Sequence, residues 1–229
     1  MKRNKNITVS VCCQTYNHKD YITKTLESFL MQKTNFLFEI LLRDDASTDG
    51  TAEICKNYAN KHPDKIKLLA YAENQWQMGV SPFRDNVKRA QGKYIAICEG
   101  DDYWIDPLKL QQQVDFLEAN EDYGVVHTDT NVYYQNANKL VENINRLNKR
   151  NSVQLHNPAE DLILGRYRIY TLTVLFRASL LDHIDMKSPN KFKMGDLPLW
   201  LTFTQFTKFY YINESTAVYR KSLGTASNS

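Results

Sequence analysis

Apolar positions in the first 120 residues switch repeatedly between a period of two and a period near 3.6. Residues 7–13 alternate, with Ile7, Val9, Val11 and Cys13 on one face, and a polar turn at 14–17 follows, which predicts a strand and its loop. Ile22, Leu26, Phe29 and Leu30 then stand at i, i+4, i+7 and i+8, the stripe of a helix. A second apolar run at 38–42 ends in Arg43-Asp44-Asp45, and Ser47-Thr48-Asp49-Gly50 supplies turn and cap residues for a helix carrying Ile54, Cys55, Tyr58 and Ala59. Residues 66–71 predict a third strand, and Phe83, Val87 and Ala90 a third helix that stops at Gly92. Residues 94–98 predict a fourth strand, after which Asp106 is placed to cap a helix with Pro107 at its first position and Leu110, Val114 and Leu117 inside.

Four strand–helix alternations argue for an α/β domain with a mostly parallel sheet covered on both faces. Such sheets bind ligands at the carboxyl ends of their strands. Three of the four strands run into polar clusters there: Gln14-Thr15-Tyr16-Asn17, Arg43-Asp44-Asp45 and Glu99-Gly100-Asp101-Asp102. Residues 124–134 predict a further strand. The polar stretch 135–155 reads as a mobile loop, and the apolar patterns at 169–176, 197–206 and 209–219 read as an addition to the same core.

Composition narrows the function. The chain has 229 residues, 42% of them hydrophobic, enough for one domain with a real core. The net charge of +3 is spread over 29 basic and 26 acidic residues, so no nucleic-acid-binding stripe is present. Cys12, Cys13, Cys55 and Cys98 have no C-x-x-C spacing and read as reduced, buried thiols of a cytoplasmic protein. The N-terminus lacks a signal-peptide pattern, and no apolar run is long enough to span a bilayer. Any meeting with a membrane is therefore expected to be peripheral, at its inner face.

The nucleotide folds with glycine-rich loops do not fit. No G-x-G-x-x-G follows the first strand, and the glycine that a Walker A loop would need before Gly92-Lys93 is Val87. A nucleotide diphosphate on this scaffold would have its charge neutralised by carboxylates holding a hard divalent cation, Mn²⁺ or Mg²⁺, and Asp101 and Asp102 beside Gly100 fit that role. A solvated acidic turn would explain the Asp-Asp pair taken alone.

The clusters together change the reading. The stretches TYNHKDYITKTLESFL, EILLRDDASTDGTAEIC, GKYIAICEGDDYWIDPLKLQQQVDFLE and MGDLPLWLTF, with AVYRKS beyond, resemble in order the family 2 glycosyltransferases of GT-A fold. The resemblance implies one domain over 1–229, with a nucleotide-sugar half at about 1–125 and an acceptor and catalytic-base half at about 126–229. It implies that Thr15, Tyr16 and Asn17 form the base-binding loop, with Tyr16 stacking on uracil and Asp45 accepting from the uracil N3–H, a pairing that suits a carboxylate acceptor. Asp44 would support that turn. Asp101 would lie near the ribose and the metal, Asp102 on the metal, and Glu99 at the first acid of the same region. Of Arg84, Lys88 and Arg89 on the helix before the fourth strand, one, with Arg84 as the candidate, is expected near the diphosphate, and a solvated helical face fits these residues equally. Asp196 matches the catalytic base, which takes the acceptor hydroxyl proton as the anomeric carbon is attacked with inversion; a helix cap before Pro198 is compatible with that role.

Trp104, His127, Asp129 and Arg220 are the candidates for the acceptor side; for His127 and Asp129 a core or loop-anchoring place fits equally. Relatives often carry Tyr-Arg-x-His where this chain has Tyr219-Arg220-Lys221-Ser222. The expected reaction is transfer of a hexosyl unit from a UDP-sugar to a hydroxyl of a polysaccharide or lipid-linked oligosaccharide. A sugar-nucleotide nucleotidyltransferase would open with a glycine-rich basic loop, which residues 14–18 lack, and a non-catalytic binding module would not need Asp45, Asp101, Asp102 and Asp196 together.

Overall fold

The computed structural model describes residues 7–148, 158–185 and 196–221. In chain order the elements are β1 (Ile7–Thr15), α1 (Ile22–Leu30), β2 (Leu37–Asp44), α2 (Thr51–Lys61), β3 (Ile66–Ala70), α3 (Pro82–Val87), β4 (Tyr94–Ile97), β5 (Tyr103–Trp104) and α4 (Lys109–Ala119). They continue with β6 (Tyr123–Tyr134), β7 (Lys139–Val141), α5 (Ile144–Leu147), α6 (Ala159–Ile163), β8 (Leu175–Arg177), α7 (Asp196–Phe203) and β9 (Lys208–Lys221). The sheet runs β3-β2-β1-β4-β8-β6-β9-β5, with β7 paired on β6.

The parallel part is β3-β2-β1-β4. Beyond it the sheet turns mixed, because β8 lies antiparallel between β4 and β6 while β6 and β9 are parallel. All four residues of β4 are buried, as expected of a central strand with helices on both sides. One face packs Val11, Ile40 and Leu42 against Leu26, Phe29, Cys55, Leu110 and Val114 of α1, α2 and α4. The other packs Leu41, Ile95 and Phe176 against Val87 of α3 and Trp200 and Phe203 of α7. All four cysteines are free and buried, as the sequence pattern predicts.

Two predicted boundaries move. Helix α4 starts at Lys109, because Asp106 Oδ1 accepts the Leu108 N–H at 2.8 Å and the Asp106 carbonyl accepts from Lys109, which holds Pro107 in a turn ahead of the helix. The stretch expected to be a mobile loop from 135 contains β7 and α5 up to residue 148, and its remainder lies outside the described residues.

One buried charge tests the packing. Lys109 has no solvent exposure; its Nζ donates to Gln113 Oε1 at 2.7 Å and sits 4.5 Å from the centre of the Trp104 ring. Burial pulls its pKa down from 10.5 to about 7. Between those values the unfolded chain holds a proton that the folded one lacks, so stability rises with pH across that window. From pH 7 to 9, wild type should gain up to about 1 kcal/mol per pH unit over Lys109→Met in urea unfolding. Parallel pH dependences would show that the ammonium is solvated.

Candidate active site

The carboxyl ends of β1 and β2 meet in register, Thr15 opposite Asp44, and the chain after them is stitched into one surface. Asp45 donates its N–H to the Thr15 carbonyl at 3.0 Å. Asn17 gives its N–H to Ser47 Oγ and accepts the Thr48 N–H on Oδ1, each at 2.9 Å. Asp44 is buried and accepts both the N–H and the hydroxyl of Ser47, which bends the chain through Ala46 at φ 63°. Asp44 therefore supports this turn, and Asn17 serves as a clasp between the two loops. Thr15 is buried, while Tyr16 projects from the surface at 43% exposure.

Asp45 is nearly closed off by its own surroundings. Its carboxylate accepts the N–H of Gln75 at 2.9 Å and of Trp76 at 3.1 Å, and Arg43 Nη2 lies 3.1 Å from Oδ1. Arg43 is fully buried, donates through Nε to Asp85 Oδ2 at 2.9 Å and packs on the Tyr71 ring. The Arg43 guanidinium thus braces this carboxylate. Arg84 lies in the first turn of α3, where its N–H meets the capping Ser81 hydroxyl.

At the end of β4 the chain continues beside β1, with the Gly100 N–H on the Gln14 carbonyl at 2.9 Å. Gly100 is required by this approach: a Cβ there would lie 2.7 Å from the Thr15 side chain and 3.0 Å from His18 Nδ1. The turn brings oxygens of Glu99, Asp101 and Asp102 within 4.8 Å of one another. Asp102 is 1% exposed; its Oδ1 accepts the Arg220 N–H at 2.7 Å, and its Oδ2 is buried without a partner. Burial, then the charge of Asp101, raises the Asp102 carboxyl well above the usual range. Burial, then Asp101, with a further contribution from Asp196, pushes Glu99 up to about 7.

Three crowded carboxylates with an orphaned buried oxygen suit a hard divalent cation. Asp101 and Asp102 are the residues that would hold it, with Glu99 beside them. His18 joins this group from the β1 loop, its Nε2 4.0 Å from Asp101 Oδ2 and its Nδ1 buried without a partner. The sequence pattern does not single out His18. The available signal is Gly100, whose missing side chain admits the ring.

Asp196 opens α7, accepts the Leu197 N–H on Oδ1 at 3.0 Å, and is half-buried within electrostatic range of Glu99. It is both a helix-end carboxylate and a neighbour of the acidic turn, although the two lie 97 positions apart in the chain.

Three of the four acceptor-side candidates, Trp104, His127 and Asp129, are buried, and Arg220 is partly exposed. Trp104 is 1% exposed, donates Nε1–H to the Leu172 carbonyl at 2.8 Å and packs on Phe29. His127 is fully buried with Nε2 on the Tyr167 hydroxyl at 2.8 Å, and burial lowers its pKa to about 3, so it stays neutral. Asp129, also fully buried, accepts the N–H groups of Thr130, Asn145 and Arg146 and anchors the start of α5. Arg220 is a strut behind the acidic turn. Its Nε donates to the Asp101 carbonyl at 2.8 Å, and its guanidinium is ringed by Tyr21, Tyr103 and Tyr133 at 4.6, 5.4 and 5.7 Å. Ser222 lies outside the described residues.

Comparison with known proteins identifies the class. The model of glycosyl transferase family 2 matches residues 10–181. The chain belongs to that family. The putative teichuronic acid biosynthesis glycosyltransferase TuaG of Bacillus subtilis is 31% identical over 215 residues, covering 93% of this chain and 78% of TuaG. The structure of Staphylococcus aureus TarS with UDP-GlcNAc superposes with a TM-score of 0.72 at 21% identity, covering 97% of this chain and 61% of that one. The mannosyltransferase PcManGT of Pyrobaculum calidifontis with GDP-Man and Mn²⁺ gives 0.70 at 19% identity, covering 95% and 58%. These likenesses establish the GT-A fold. The chain spans about half the length of the first curated relatives it matches, 46% of each.

Proposed function

We propose that this chain transfers a sugar, with inversion, from a UDP-sugar to a hydroxyl of a polysaccharide or lipid-linked glycan. The observation that carries the reading is the convergence at one sheet edge of the Tyr16–Asp45 loops, the Glu99–Asp101–Asp102 turn and Asp196. A divalent cation on Asp101 and Asp102 would neutralise the donor diphosphate and stabilise it as a leaving group. Tyr16 would stack on the base, and Asp45 would meet the base edge with its remaining acceptor capacity. Asp196 would take the proton of the acceptor hydroxyl.

TarS bound to UDP-GlcNAc supports a uridine donor, and PcManGT with Mn²⁺ supports the cation. The name of TuaG, for teichuronic acid biosynthesis, supports a polysaccharide acceptor. Among the described residues no helix is long and apolar enough to cross a membrane. Incubation with a panel of UDP-, GDP- and CDP-sugars in Mn²⁺ should release nucleotide only from UDP-sugars. Release from another nucleotide alone would reassign the donor.

A further inference from the structure

The chain has three tryptophans, and they divide sharply. Trp104 and Trp200 are each 1% exposed, whereas Trp76, between β3 and α3, is 55% exposed, with Met78 nearby at 64%. A ring this exposed adds little to folding and is free to stack on a flat ligand.

The segment carrying Trp76 is fastened to the site. Besides the two N–H groups that Gln75 and Trp76 give to the Asp45 carboxylate, Asn74 Nδ2 donates to the Asp45 carbonyl at 3.3 Å, and Asn74 Oδ1 accepts the Gln77 N–H at 2.9 Å. Gly79 closes the turn with its N–H on the Trp76 carbonyl at 3.0 Å and φ at +83°, a conformation suited to glycine. On its other side Asp45 holds the Thr15 carbonyl, and the next residue is Tyr16. Two exposed aromatic residues are thus tied through the backbone to the neighbourhood of Asp45.

Sheet order decides what they face. β3 and β2 lie on the side of β1 away from β4, and the cation turn follows β4 with Asp196 near it. On the reading above, a nucleoside diphosphate with its phosphates on that turn would place its base at the Tyr16 and Asp45 loops, on the β2 side. An acceptor sugar resting on Trp76 would be separated from Asp196 by the length of the nucleoside.

We infer that Trp76, on the segment latched by Asp45, is a second aromatic wall of the nucleobase subsite beside Tyr16. The inference rests on the nucleotide-sugar reading above. It also gives Asp45 two roles at once. A carboxylate has about four lone-pair positions; the Gln75 and Trp76 N–H groups engage two, with the Arg43 guanidinium beside Oδ1 as an ion pair, so Asp45 sets the wall with acceptor capacity left for the base.

Because the other two tryptophans are buried, direct contact quenching by a ligand is expected at Trp76. In Mn²⁺, UDP and uridine should quench the tryptophan emission of the wild type, and pyrophosphate should not. Trp76→Phe should abolish the quench while calorimetry shows UDP affinity within about threefold of wild type, since a ring remains. Trp76→Ala should weaken UDP by at least about fivefold, the lower end expected for lost base stacking, with pyrophosphate affinity unchanged. A Trp76→Ala chain that binds UDP like the wild type, or a quench that persists in Trp76→Phe, overturns the wall and leaves the nucleotide reading intact. A wild type that binds no UDP in calorimetry overturns both.

Discussion

Asp196→Asn is expected to reduce sugar transfer by about 10²–10⁴, the usual contribution of a general base, while UDP-sugar affinity stays within about threefold, because a role expressed only in the transition state lowers kcat and kcat/KM together. The proposed donor contacts come from the ends of β1, β2 and β4, whereas Asp196 begins α7. The amide of the variant can still accept the Leu197 N–H that Asp196 Oδ1 accepts now, so the helix end should survive. What it loses is a group able to take a proton. Steady-state kinetics with an acceptor, alongside calorimetry with the UDP-sugar, separates the two effects. Near-normal turnover would leave Asp196 as a helix-end residue and no more. The base would then have to be another group near the acidic turn, with Glu99 first in line; His127 and Asp129 are sealed in the core and cannot replace it.

Asp102→Asn is expected to abolish the advantage that Mn²⁺ gives to UDP binding, a loss of at least about tenfold in affinity, since even a partner of a metal ligand typically accounts for that much. In EDTA the two proteins should bind UDP alike. The same substitution should act oppositely on the metal-free fold. Asp102 is buried with Oδ2 unpaired, and its carboxyl is held above the ordinary value by burial and by Asp101. The folded state therefore keeps a proton that the unfolded chain has given up, and wild-type stability falls as pH rises above the ordinary aspartate value. Asn carries no charge to bury, so metal-free Asp102→Asn should be the more stable protein at neutral pH, in urea unfolding with EDTA. Equal UDP affinity of wild type and variant in Mn²⁺ would remove Asp102 from the cation site.

The parallel half of the fold was legible because its information is local. Alternation at 7–13, the helical stripe from Ile22 to Leu30 and the acidic ends of the second and fourth strands each fit within one element. Elements made by distant pairing left little trace. β7 pairs on one side only and exposes Lys139 and Leu140, so it shows no alternation that would separate it from a polar loop. β5 is two residues long and exists because Tyr103 and Trp104 meet Val218 and Ala217 of β9.

The site divides in the same way. The carboxylates of the acidic turn were visible as a cluster, whereas their neighbours were not: His18 reaches Asp101 from 83 positions away. The misplaced candidates fail for a common reason. A polar residue near a strand end looks the same in sequence whether it faces a cleft or a buried partner, and His127 finds the hydroxyl of Tyr167, 40 residues on. Asp129 looks like a catalytic acid until α5, formed 16 and 17 residues later, turns its N–H groups onto it.

The strut from β9 bears on how the protein comes to life during synthesis. Asp102 receives the Arg220 N–H from 118 positions further along the chain, and Asp101 receives the same residue's Nε. Contacts of such long sequence separation form late, since much chain must be ordered before they close. A nascent chain can leave the ribosome with β1 to β4 paired and the acidic turn already made, yet that turn stays unbraced until residue 220 has emerged and β9 has docked beside β6. Cation affinity should therefore arise only once residue 220 has been made and β9 has docked.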